Sequence, residues 1–125
     1  MIMARILCVD DNQDSREVVK AILAGVDRRY QVDLAADAQE AINSIGERAY
    51  DLYLLDYMMP DMSGVELCRW IRLGDRRVPI LFLSALDRPT DKLIALEAGA
   101  TDYLTKPGGL DLLPEVVPKL LAAAG

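Results

Sequence analysis

The chain has 125 residues, 52% of them hydrophobic, which suffices for one domain with its own core and is too short for two. Its 14 Lys and Arg against 20 Asp and Glu leave a net charge of −6, which excludes nonspecific attraction to nucleic acid or an anionic membrane, because phosphate-rich surfaces are bound by basic ones. There is no histidine, and the two cysteines, Cys8 and Cys68, lie in apolar stretches without a CxxC spacing, so reduced, buried thiols are expected rather than a disulfide framework or a Cys/His zinc site.

The first predicted element is a strand over residues 5–9. It arrives too soon after the start for a signal peptide or membrane span to precede Asp10, and the chain reads as cytoplasmic. The loop DDNQDS follows, then an amphipathic segment over 14–24 with Val18, Val19, Ile22 and Leu23 apolar and Gly25 as its expected stop. A second strand is expected at 31–35. Asp37 and Glu40 then have the spacing of a capping box, ahead of Ala38, Ala41, Ile42 and Ile45 on one helical face.

A third strand over 50–55 ends at Asp56. Ser63 and Glu66 repeat the capping pattern before Leu67, Cys68 and Ile71, and Gly64 permits a tight helix entry. Met62 and Trp70 read as packing or surface residues. A strand at 79–84, a helix over 90–98 closing at Gly99, and a strand at 102–105 complete the alternation. After Lys106 and Pro107 the sequence is GGLDLLPEVVPKLLAAAG. Proline inside a helix removes a hydrogen bond and clashes with the preceding turn, at about 3 kcal/mol or more. Pro114 fits as the first residue of a helix that starts late, but Pro118 then falls inside it, so a short, kinked or broken last helix is expected.

The runs ILCV, LYLL and ILFL are apolar throughout, as in the middle strands of a parallel sheet covered on both faces. No repeat or linker divides the chain. Five β segments, each followed by a helical one, make a single α/β domain over 1–125 with a doubly wound five-stranded parallel sheet and helices on both faces. In such sheets the ligand site lies outside the C-terminal strand ends. There stand Asp10 and Asp11, Asp56, Ser84 and Lys106. Any one alone reads as the first solvated residue of a loop, but all five at one rim read as a site. Two like charges about 4 Å apart repel by roughly 4 kcal/mol at an effective dielectric near 20. Three carboxylates gathered in this way call for a hard cation, and Mg2+ suits one or two carboxylates, waters and a phosphate. Asp10 and Asp11 would hold the ion, Asp56 would be the nucleophile toward phosphorus, and Lys106 and Ser84 would supply an ammonium and a hydroxyl to the spreading charge.

ILCVDDN at 6–12, DLYLLDYMMPDMSGVEL at 51–67, PILFLSAL at 79–86 and EAGATDYLTKP at 97–107 together resemble the receiver domains of two-component response regulators. The resemblance implies a flavodoxin-like strand order 2-1-3-4-5. It implies a signalling phosphoacceptor rather than an enzyme, with Asp56 phosphorylated, Asp10 and Asp11 binding Mg2+ (or Mn2+) together with the Met58 backbone carbonyl, Ser84 as the switch hydroxyl and Lys106 contacting the phosphate. Tyr103 takes the place of an aromatic side chain that turns inward on switching, and Lys106-Pro107 takes the place of a cis peptide that aims the lysine. Without a histidine of its own, the chain needs a histidine kinase or phosphotransfer protein as donor. Its target would be a protein, with no direct nucleic-acid or membrane contact, and a phosphorylation-dependent dimer is allowed. Met58 and Leu86, two residues beyond Asp56 and Ser84, are apolar where water would reach an acyl phosphate, which predicts slow hydrolysis.

The segment after Pro107 departs from the family pattern, so the form of the face built from the last strand and last two helices is open. The chain also ends soon after it, leaving no space within these residues for an output domain. Three rivals are weaker. A metal-dependent phosphohydrolase lacks an insertion to build a lid and a second carboxylate two residues after Asp56. A nucleotide-binding module lacks GxGxxG and GxxxxGK[ST], and its first loop is acidic. A pseudo-receiver serving as a phosphorylation-independent interaction module would not need all five site residues.

Overall fold

The computed structural model describes residues 3–124. Strands and helices alternate: β1 (Ala4–Val9), α1 (Gln13–Val26), β2 (Tyr30–Ala35), α2 (Ala38–Glu47), β3 (Leu52–Leu55), α3 (Gly64–Gly74), β4 (Ile80–Ser84), α4 (Pro89–Glu97), β5 (Asp102–Thr105) and α5 (Gly108–Ala124). The five strands are parallel in the order β2-β1-β3-β4-β5, so the three apolar runs are the inner strands, as expected. Side-chain alternation explains why they are apolar throughout. Leu7, Val9, Tyr53, Leu55, Ile80 and Phe82 enter a core on the face toward α2, α3 and α4. Ile6, Cys8, Leu52, Leu54, Leu81 and Leu83 enter a second core with Val19 and Leu23 of α1 and Leu113 and Val117 of α5. Neither face is solvated.

The helix entries follow the sequence signals. Asp37 accepts the Glu40 N–H at 2.8 Å and Ser63 accepts that of Glu66 at 3.1 Å. The Glu40 carboxylate reaches back to the Ala36 N–H at 2.9 Å. Gly99 ends α4 as expected: at φ +116° it donates to the Leu96 carbonyl, while Ala100 donates to Ala95, a Schellman closure. Gly25 does not end α1. The helix runs through it to Val26 and closes at Asp27, whose N–H bonds the Leu23 carbonyl.

The last helix corrects the sequence reading more deeply. It is neither short nor broken: α5 runs 17 residues from Gly108 with Pro114 and Pro118 both inside it. Gly109, Leu113 and Val117 recur at i, i+4 and i+8 and are buried, with Leu110, Val116, Leu120 and Leu121 packed beside them on the same core. Burial of such a stripe outweighs intrinsic propensity, since most helical stability in proteins comes from packing of the apolar face. Pro114 is exposed and Pro118 half-buried, so their rings lie away from the buried stripe.

Candidate functional site

Register brings the candidate residues together. Val9 pairs with Leu55, and the Asp56 N–H extends the ladder to the Val9 carbonyl at 2.9 Å, so Asp10 and Asp56 leave neighbouring strand ends where the strand order reverses. Ser84 pairs with Thr105, and the Lys106 N–H donates to the Ser84 carbonyl at 2.8 Å. One carboxylate oxygen from each of Asp10, Asp11 and Asp56 lies within 4.8 Å of the others. Asp10 is buried at 4% exposure, Asp56 is half-buried and Asp11 faces solvent.

Lys106 answers the cluster's carboxylates. Lys106 Nζ lies 2.6 Å from Asp10 Oδ2 and 3.8 Å from Asp56 Oδ2, with its side chain 16% exposed. Asp10 Oδ1 accepts the Asn12 N–H at 2.9 Å, and the Arg16 guanidinium bonds the Asp10 carbonyl at 2.7 Å. Asp56 Oδ1 accepts the Tyr57 N–H at 2.7 Å. Burial first, and then the Asp10 charge, push the Asp56 carboxyl above its ordinary value, while Lys106 and the Tyr57 and Ser84 donors act against that rise. By formal charge, three carboxylates face the one ammonium of Lys106. An all-oxygen donor set of this kind fits a hard divalent cation. The Met58 carbonyl, in the loop between β3 and α3, accepts no backbone N–H among the described residues.

The Ser84 side chain is buried, and its Oγ accepts the Leu86 N–H at 3.2 Å. The Tyr103 hydroxyl donates to the Leu86 carbonyl at 2.7 Å, so a single residue of the β4–α4 loop is held by both. The Tyr103 ring is buried, stacked on Phe82 at 5.8 Å and 7°, with Tyr57 edge-on to both. In this structure the aromatic side chain points inward. The Lys106-Pro107 peptide is cis.

Some participants escape a reading of strand ends. Asn12 caps α1 through the Ser15 N–H at 2.9 Å, and Ser15 Oγ lies 3.3 Å from Lys106 Nζ. A hydroxyl in the first helical turn after an acidic pair was the only available signal. Gly64 does more than ease a helix entry: a Cβ there would stand 2.0 Å from the Asp56 carbonyl oxygen and 3.1 Å from the Phe82 ring. The sequence shows the glycine but not the backbone against which it packs.

Comparison with known proteins agrees with this architecture. Residues 6–118 match the family model described as the response regulator receiver domain. The transcriptional regulatory protein DltR of Streptococcus agalactiae serotype III is 40% identical over 109 residues, covering 87% of this chain and 48% of that protein. The response regulator MprA of Mycolicibacterium vanbaalenii is 41% identical over 109 residues, covering 87% and 46%. The chain thus spans about half the length of these curated relatives. Among solved structures, the BeF3-activated DrrB receiver domain superposes with a TM-score of 0.89 at 30% identity, covering 97% of this chain and 99% of that one.

Proposed function

The chain belongs to the response-regulator receiver domains of two-component systems, and from that membership we propose that it accepts a phosphoryl group on Asp56 from the phosphohistidine of a kinase or phosphotransfer protein. The observation that carries the reading is the meeting of three carboxylates with one ammonium: Asp10, Asp11 and Asp56 within 4.8 Å, and Lys106 within 2.6 Å of Asp10 and 3.8 Å of Asp56. An Asp56 carboxylate oxygen attacks phosphorus. The new P–O bond forms as the P–N bond to the donor imidazole breaks, and the imidazole keeps the bonding pair. Lys106 is near enough to Asp56 to follow the added charge, and Ser84 offers its hydroxyl from the adjacent strand end. Asp10, Asp11, Asp56 and the Met58 carbonyl would hold Mg2+ or Mn2+, which when bound supplies positive charge against the phosphoryl oxygens.

The readout is a population shift in the β4–α4 loop, where Leu86 is held by Ser84 and Tyr103 together. A change of partner at Ser84 releases the Leu86 N–H and leaves that residue held by the Tyr103 bond to its carbonyl. Beside that loop, Leu93 and Ile94 of α4 are exposed, which supports a protein-facing surface and a phosphorylation-dependent dimer. We take these 125 residues as one domain of the cytoplasm, on a chain in which no described helix is long and apolar enough to cross a membrane. The net charge of −6 supports a surface that does not itself contact nucleic acid. In a longer protein of the DltR or MprA kind, any contact with DNA would fall to other residues.

Incubation with acetyl phosphate and Mg2+, followed by intact-mass measurement, tests the reading. One phosphoryl adduct is expected on the native chain and none with EDTA or on Asp56→Asn. Equal labelling of Asp56→Asn would refute the assignment. Met58 is 62% exposed and Leu86 half-buried at the site's edge, and polar substitutions at the two should speed loss of the adduct.

A further inference from the structure

The β3–α3 loop, which carries Met58, leaves the sheet at Asp56, and its tip is bonded to α2 through a residue outside the acidic cluster. The loop is closed at its base. The Gly64 N–H donates to the Tyr57 carbonyl at 2.8 Å, and Gly64 packs against the Asp56 carbonyl with no space for a Cβ. Its tip is held from elsewhere. The Asp61 carboxylate accepts two backbone N–H groups from the start of α2, that of Ala38 at 3.1 Å and that of Gln39 at 2.9 Å. These are the donors that α2's own cap leaves over: Asp37 takes the Glu40 N–H through its side chain, and the Ala41 N–H already bonds the Asp37 carbonyl. A carboxylate bonded at a helix N-terminus also meets the positive end of the helix dipole.

The tether closes a ring around the acidic residues. The Asp10 N–H bonds the Ala35 carbonyl at the end of β2, and α2 begins three residues later. Asp61 joins α2 to the loop, Met58 stands in that loop between Asp61 and Asp56, and the Asp56 N–H returns to the Val9 carbonyl beside Asp10. Sheet bonds hold the base of the ring, and Asp61 is a side-chain bond across its rim, linking positions 22 and 23 residues apart. We propose that Asp61 is a positioning residue for the divalent-metal site: by anchoring the loop tip to α2 it holds the Met58 carbonyl toward the acidic cluster, without touching the ion. This rests on the reading of Asp10, Asp11 and Asp56 as a metal site. It adds a residue that the acidic cluster does not contain, and it ties metal occupancy to the start of α2.

Titration calorimetry with Mg2+ on the whole chain tests it in four forms. Asp61→Ala should weaken Mg2+ binding about tenfold, the low end for partners that orient a metal's ligands. Asp61→Asn keeps one acceptor oxygen and should fall between it and the native chain. Asp37→Ala also uncaps α2 but leaves the loop tether in place, and should stay within about twofold of native affinity. Coupling is reciprocal, so in the unsubstituted chain Mg2+ should slow hydrogen exchange of the Ala38 and Gln39 amides, a readout that stands even if Asp61→Ala fails to fold. Native-like affinity in Asp61→Ala, an equal loss in Asp37→Ala, or Ala38 and Gln39 exchange indifferent to Mg2+ would each overturn the proposal while leaving the metal site standing. Absence of Mg2+ binding by the native chain would remove the metal site and this proposal together.

Discussion

The acidic rim and the helix that follows it, adjacent across Pro107, both break a local rule, and they were not equally legible. At the rim the rule is electrostatic: Asp10, Asp11 and Asp56 converge although like charges repel. In α5 the rule is conformational: Pro114 and Pro118 sit inside a continuous 17-residue helix although each removes a hydrogen bond. The rim's violation is itself the signal of function, because charges gathered against their repulsion imply something to neutralise them. The helix's violation carries no such message. It is offset by burial of Gly109, Leu113 and Val117 against β5, Leu83 and α1, which no local window contains.

Substitutions can break that comparison. The largest effect is expected from Gly64→Ala, because the new Cβ would overlap the Asp56 carbonyl at 2.0 Å and crowd the Phe82 ring. Relieving so close a contact should cost about 3 kcal/mol in denaturant unfolding and displace the base of the Asp56 loop. A near-neutral result would mean that the loop is softer than the ring of bonds implies. In α5, Leu113→Ala should also cost about 3 kcal/mol, whereas Pro114→Ala, at an exposed position, should stabilise by about 2 kcal/mol as a helix hydrogen bond is restored. If Pro114→Ala destabilises instead, the prolines contribute to the packing and the contrast with the rim collapses.

At the rim the corresponding change is Asp56→Asn. The native carboxyl is held above its ordinary 3.8, so its proton binds the folded state more tightly than the unfolded. Stability from that group is present below about pH 4 and is lost as pH rises through the raised value. In metal-free buffer at pH 7, Asp56→Asn should therefore be more stable than the native chain, with the gap closing in acid and on adding Mg2+. An asparagine variant that is less stable at pH 7 would show that burial and the Asp10 charge do not penalise the ionised carboxylate. The smallest effect concerns Cys8, buried at 3% exposure. Desolvation first, then Asp10, push its thiol from 9.0 up to about 12. A thiol reagent at pH 8 should label the chain only when denaturant is present, and the thiol's contribution to stability should fade between pH 9.0 and about 12.

How much could be read in advance follows the same division. The continuous apolar runs marked the inner strands, because both faces of β1, β3 and β4 are buried. The caps at Asp37 and Ser63 were visible because they are local. Gly25 and Gly99 looked alike as stops, each following an alanine, yet only Gly99 takes positive φ. That difference lies in where the next strand must begin. The Asp61 bond to α2 and the Gly64 contact with Asp56 were hidden for a different reason: each joins residues that only the folded sheet brings side by side.

The central claim is that this rim directs a phosphoryl group to one carboxylate among three. Borohydride reduction of the chain after treatment with acetyl phosphate and Mg2+ converts an acyl phosphate to the alcohol, and peptide mass mapping then locates the reduced residue. The account predicts homoserine at position 56 and intact aspartate at 10 and 11. Reduction at Asp10 or Asp11, or at none of the three, would contradict it.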